Sequence, residues 1–177
     1  NKKNPIVSTV LTSYEGAGAL CAEKLFEEVK EEMKKADKPF VIVAIERTDN
    51  VTDEEKTNGF IEKFSELADA DPQTKDKYRV ETESEDKIED SFDEVLRQNV
   101  KAVFITHPVI ADKMSDVVFA QSEKFKDIIF CGFDSGAKQL NWLNSENENT
   151  AKFIGGVAQN AYDLGYNAVE QCVFSIE

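Results

Sequence analysis

The sequence predicts an α/β protein: a doubly wound, mainly parallel sheet with helices on both faces. Short apolar runs at 40–45, 100–105 and 128–131 read as strands buried on both sides, the habit of parallel sheets. Longer stretches with apolar residues at helical spacing separate them. Strands and helices then alternate without an internal repeat or a low-complexity linker, which calls for right-handed crossovers within one sheet.

Taken in order, Pro5 to Leu11 (PIVSTVL) is rich in β-branched residues and reads as a first strand. Tyr14 to Lys35 carries Ala17, Cys21, Leu25, Val29 and Met33 as a helical stripe, stopped by Asp37-Lys-Pro39. Phe40 to Ile45 (FVIVAI) is the second strand, followed by a polar loop from Glu46 to Val51. Thr52 to Glu55 has capping-box spacing and opens a helix with Phe60, Phe64 and Leu67 on one face. Ala68 to Lys77 is a turn, and Tyr78 to Glu81 is a weak strand. Ile88, Phe92, Val95 and Leu96 mark another helix, and Val100 to Ile105 the next strand. His107-Pro108 ends that strand and starts a helix through Ile110, Met114, Val117 and Val118.

The stretch Asp127-Ile-Ile-Phe-Cys-Gly-Phe-Asp134 is a buried strand that runs into a carboxylate and then the turn residues Ser135-Gly136. Open α/β sheets bind ligands outside the carboxyl ends of their strands, so Asp134 is predicted at a ligand-binding edge. The same residue serves equally well as a turn former capping the next helix. A short helix follows around Gln139 to Leu143, then a loop over 144–150. Phe153 to Ala158 is a strand, and Ala161, Leu164, Ala168 and Cys172 stripe a last helix.

The 177 residues suit one core of ordinary size. With 21 Lys and Arg against 35 Asp and Glu, the formal net charge is −14. Such a body repels phosphate backbones and anionic lipid, which argues against nucleic-acid binding by this segment. Cys21, Cys131 and Cys172 fall at apolar positions and read as small hydrophobes, without the spacing of a zinc site or a disulfide framework. No apolar run approaches a membrane span. Asn1-Lys-Lys-Asn-Pro5 looks like an internal cut, so the chain is expected to be a fragment.

Catalytic and cofactor motifs are mostly missing. Gly16-Ala-Gly18 opens a helix but lacks the further glycine of a dinucleotide fingerprint, and no phosphate loop, metalloprotease or hydrolase motif occurs. A catalytic triad needs a histidine, and His107 is the only one; a strand-end hydrogen bond explains it without chemistry. The carboxylates Asp53, Glu54 and Glu55 sit at a helix start, where the macrodipole already favours them. Asp69 and Asp71 lack the rest of a calcium loop, and helix capping accounts for the sequon Asn50-Val-Thr52. No enzyme activity, metal or cofactor is implied.

In this order and spacing, the motifs resemble the C-terminal lobe of type 1 periplasmic binding proteins. These are the sugar-type solute-binding proteins, whose lobe also forms the effector domain of lactose-repressor-type regulators. The residues that carry the resemblance are Pro5-Ile-Val-Ser with Tyr14-Glu-Gly-Ala-Gly18, Gly59-Phe60, Val103-Phe-Ile-Thr-His107, Gly132-Phe-Asp134, and Phe153 to Glu170 with Gln159, Tyr162 and Gly165. The resemblance implies a two-lobed clamp that closes on a sugar or similar polar solute, with no catalysis. It also implies a membrane permease of an ABC uptake system as partner and an extracytoplasmic location, periplasmic or lipid-anchored. An effector domain of a cytoplasmic regulator is the alternative, and an unrelated flavodoxin-like or dinucleotide enzyme a more distant one. Phe133, Asp134 and Gln159 match the family's ligand-facing aromatic, carboxylate and amide. Glu54 stands where an Arg commonly precedes the Gly-Phe pair, and His107-Pro108 where Asn-Asp follows the fourth strand. Both departures lie at contacts that set ligand identity, so the ligand need not be ribose or galactose. The resemblance further implies that residues 160–177 pack with an N-terminal lobe missing from this chain.

Overall fold

The computed structural model describes residues 11–88, 98–145 and 151–174, which fall into two compact units. Residues 14–157 form the larger unit; residues 11–13 and 158–174 belong to the smaller one. The larger unit holds α1 (Tyr14–Lys35), β1 (Phe40–Glu46), α2 (Val51–Ala70), β2 (Tyr78–Ser84), a 3-10 turn (Glu85–Lys87) and β3 (Val100–Ile105). It continues with α3 (Pro108–Ala120), α4 (Ser122–Phe125), β4 (Ile129–Phe133), α5 (Ala137–Leu143) and β5 (Lys152–Val157). The smaller unit contributes α6 (Ala161–Phe174).

The five strands form one sheet in the order β2-β1-β3-β4-β5, and every pairing is parallel. Side chains alternate across a strand, and here both sides are apolar. Val41, Val43, Ile45, Val103, Ile105, Phe130 and Phe153 enter one core with Ile110, Met114 and Val118 of α3 and Trp142 of α5. Ile42, Ala44, Ala102, Phe104 and Cys131 enter the opposite core with Cys21, Leu25 and Val29 of α1 and Phe60 and Phe64 of α2. Parallel strands need a crossover helix, and each crossover covers one face. That is why the strand runs are continuously apolar in sequence.

Aromatic contacts fill both cores. Phe60 stacks on Phe104 with ring centroids 4.7 Å apart, and Trp142 stacks on Phe153 at 5.1 Å. The buried Trp142 indole N–H donates to the Ala151 carbonyl at 2.8 Å, so its one polar group is satisfied.

Most predicted elements appear close to their expected ranges. The strand expected over 78–81 runs on to Ser84, because its backbone pairs with β1 throughout despite a polar sequence. The Thr52 capping box does not form. Asn50 is the N-cap, its side chain accepting from the Asp53 N–H, and Thr52 Oγ1 donates to Asn50 Oδ1 at 2.8 Å. The helix expected from Ile88 to Leu96, the loop over 146–150 and most of the strand expected from Pro5 lie outside the described residues. Leu11, the described end of that strand, is not in regular structure.

Helices α1 and α2 approach so closely that two glycines become obligatory. A Cβ on Gly18 would overlap the Lys56 carbonyl, and one on Gly59 would overlap the Glu15 backbone. These glycines thus serve helix packing, not a phosphate. Gly59→Ala is expected to cost about 1–3 kcal/mol by overpacking, seen as a melting temperature lower by several degrees. Gly165→Ala in α6, where a Cβ meets nothing within 4 Å, is expected to leave thermal unfolding unchanged or raise it slightly. Equal behaviour of the two variants in a circular-dichroism melt would contradict this account.

Candidate functional site

The chain leaves β1 for β2 on one side of the sheet, then crosses to β3 on the other. The topological switch point therefore lies between the carboxyl ends of β1 and β3, the usual ligand edge of such sheets. Four of the predicted site residues are at this edge: Glu54 at the start of α2, His107 after β3, Phe133 as the last residue of β4, and Asp134 just beyond. Gln159 belongs to the smaller unit, where Thr12 Oγ1 donates to its Oε1 at 3.2 Å.

A charged cluster that sequence reasoning missed lies at the same edge. Asp53 is wholly buried and accepts from four donors: Arg47 Nε at 2.7 Å, Arg47 Nη2 at 3.0 Å, Arg47 backbone N–H at 3.3 Å and Lys56 Nζ at 3.0 Å. Lys56, only 2% exposed, also donates to the Thr106 carbonyl at 2.9 Å. Its ammonium lies 4.1 Å from the centre of the Phe133 ring and 5.2 Å from that of Tyr14. Buried charge is tolerable only when paired and hydrogen-bonded, and here one anion bridges two cations. The cluster links the ends of β1, β3 and β4 to the first turns of α1 and α2.

Burial pushes the Asp53 carboxyl up, but hydrogen bonds from Arg47 and then Lys56, with the Lys56 charge, hold it below the usual carboxylate range. A carboxyl held low in the fold stabilises the native state above its unfolded pKa of about 3.9. That contribution disappears as pH falls through the lower folded value.

His107 caps α3: its Nδ1 accepts from the Val109 N–H at 3.2 Å. Nδ1 being the acceptor, the neutral ring carries its proton on Nε2 and can donate there. Burial first, then repulsion from Arg47, lowers its pKa, with Asp53 pulling the other way. The neutral imidazole contributes stability that is present above the ordinary value of about 6.5 and is lost as pH falls below it.

Asp134 adopts a left-handed backbone, φ 62°, a conformation Asp tolerates better than most residues. Its N–H donates to the Val157 carbonyl at 2.7 Å and its Oδ1 accepts from the Ser135 N–H at 3.1 Å. The carboxylate is half-buried at the strand end. Phe133 is 2% exposed, with Tyr14 edge-on at 6.3 Å. Within this unit its ring is core beneath the edge and offers no open face. Glu54 is exposed in the first turn of α2.

One sequence signal pointed to the missed cluster. Lys56 falls four residues before Phe60 and eight before Phe64, on the helix stripe that faces the sheet. Among the described residues no group of three or more metal-binding side chains occurs. The edge thus carries a neutral imidazole, a guanidinium and carboxylates over a charged but compensated base.

A family model described as "periplasmic binding protein domain" matches residues 1–174, and the chain belongs to that family. Among solved structures it is similar to an "ABC transporter, LacI family transcriptional regulator" from Brachyspira murdochii, with 23% identity and TM-score 0.77, over 95% of this chain and 57% of that one. It is also similar to GanP, a glucose-galactose binding protein from Geobacillus stearothermophilus, with 20% identity, TM-score 0.66, and coverage of 96% and 56%. A carbohydrate transporter solute binding protein from Agrobacterium radiobacter, in complex with D-arabinose, shares 17% identity at TM-score 0.67 over 95% and 55%. These identities speak to the fold, and the chain spans little more than half the length of the proteins it matches. A search of curated protein sequences gives no match.

Asp53→Asn is expected to cost about 3–5 kcal/mol at neutral pH, because it strands two buried-edge cations. Adding Lys56→Met should recover part of the loss. In urea unfolding followed across pH, the deficit of Asp53→Asn should shrink below about pH 4 as the parent carboxyl protonates. A deficit that stays constant down to acid pH would remove the charge argument.

Proposed function

We propose that this chain is the C-terminal ligand-binding lobe of a solute-binding protein that delivers a sugar or similar polar solute to an ABC permease outside the cytoplasmic membrane. The observation that carries the reading is Asp134, held in a left-handed turn at the carboxyl edge of the sheet, one strand from the switch point. A carboxylate accepting ligand hydroxyls makes charge-assisted bonds worth about 1.5–3 kcal/mol. His107 and Glu54 complete the contacts of the larger unit, with Phe133 beneath them as support; Gln159, in the smaller unit, is proposed as a ligand contact by itself. Family membership and the names of the sugar-binding neighbours support the solute class.

The lobe acts as half of a clamp. Helix α6 exposes Tyr162, Tyr166, Val169 and Val173, at 78%, 58%, 65% and 53%, all on one helical stripe. An apolar stripe of this kind belongs against another surface, and the N-terminal lobe of the full-length protein is the surface proposed. An effector domain of a regulator would instead carry a basic helix-turn-helix upstream, so the preceding sequence separates the two readings.

Thermal-shift screening of the full-length protein against sugars, nucleosides and amino acids tests the reading. At least one compound should raise the melting temperature, and Asp134→Ala should remove that rise, with affinity falling about ten- to a hundred-fold or more. A parent protein that responds to none of the three classes overturns the polar-solute assignment. An unchanged shift in Asp134→Ala overturns the role of that carboxylate alone.

A further inference from the structure

Two of the three cysteines meet in the larger unit. Cys21, in the second turn of α1, and Cys131, in β4, are 0% and 2% exposed. Cys21 Sγ donates to the carbonyl of Gly132, the residue next to Cys131, at 3.4 Å. Both line one cavity of about 360 Å³, together with Leu20, Lys24, Leu143 and Ile154. The cavity opens beside β5, the edge strand of the sheet.

We propose that Cys21 and Cys131 are a dithiol that closes into a disulfide by exchange with a small disulfide, stapling α1 to the strand that ends in Asp134. The cavity gives a path that burial otherwise denies, and the exposed Lys24, three residues from Cys21 on α1, supplies a cation beside it. Such a cation attracts an anionic disulfide such as oxidised glutathione. Cys21 lies one helical turn from Lys24 on the same cavity wall and is the entering sulfur in this proposal, while its proximity and then burial push the Cys131 thiol up.

The exchange balances in two steps. The Cys21 thiolate attacks one sulfur of the small disulfide, forming a mixed disulfide and releasing one thiolate. That thiolate takes the Cys131 proton, and the Cys131 sulfur attacks the Cys21 sulfur, expelling the second small thiolate, which takes up the proton that Cys21 had released to solvent. The protein loses two hydrogens and the reagent gains them. The bond would join segments far apart in sequence, so it constrains the unfolded chain strongly. It would also hold α1, which carries Tyr14 against Phe133.

The test is to refold the full-length protein in buffers of graded reduced and oxidised glutathione, quench with acid, alkylate under denaturing conditions and map peptides without reductant. The expected product is a Cys21–Cys131 linked peptide lighter by two hydrogens, with the exposed Cys172 alkylated or glutathionylated instead. The oxidised protein should melt several degrees above the reduced one, and Cys131→Ala should abolish that difference, with Cys21→Ala as an independent second variant. Alkylation of both cysteines at the most oxidising ratio overturns the proposal. So does a mixed disulfide that stops at Cys21, or a link from either residue to Cys172.

Discussion

A lysine ammonium buried at the carboxyl edge of the sheet is the constraint on which the rest of the larger unit depends. Lys56 is 2% exposed, and an unpaired ammonium there would cost several kcal/mol in lost hydration. The fold answers with the Asp53 carboxylate, the Thr106 carbonyl and the faces of Phe133 and Tyr14. Each of those partners sits on a different element. Satisfying one charge therefore sets the relative positions of α1, α2, β3 and β4 at the edge where a ligand would bind. Arg47 completes the arrangement by anchoring the end of β1 to the same carboxylate.

That solution requires the helices to come close. Gly18 and Gly59 let α1 and α2 cross with their backbones touching the space a Cβ would need. The crossing brings Tyr14 and Lys56 over Phe133 from two helices. The chain as a whole carries net charge −14, yet this cluster pairs two cations with one anion. The local excess of positive charge, together with burial, keeps His107 neutral and able to donate from Nε2. A polar site with donors and acceptors side by side is thereby possible on an otherwise acidic protein.

The fold was largely legible in the sequence, because its signals are local. In Phe40 to Ile45 every position is apolar, as a strand covered on both faces demands, and the paired helices show their stripes plainly. The end of β4 was legible for the same reason: an apolar run stops at a carboxylate, and Asp134 does occupy the sheet edge. The polar strand β2 was read too short, since its backbone pairing with β1, not its side chains, sustains it. The N-cap was misplaced by two residues, because Asn50 and Thr52 offer the backbone similar side-chain oxygens.

The site was legible only in outline. Asp53, Glu54 and Glu55 are equivalent as text, three carboxylates at a helix start, yet Asp53 is buried in an ion cluster and Glu54 is exposed. The rotation of α2 about its axis decides between them, and that rotation comes from the Gly18–Gly59 crossing and from Phe60 stacking on Phe104. Phe133 likewise reads as a candidate stacking surface, but the side from which Tyr14 and Lys56 reach it makes it core. By itself the sequence determined the alternation of strands and helices, their faces and the placement of Asp134 at the carboxyl edge of the sheet, because periodicity and turn chemistry act over a few residues. Only the tertiary structure decided which charges are buried, which thiols meet and which aromatic ring is covered, because those outcomes depend on contacts between elements far apart along the chain.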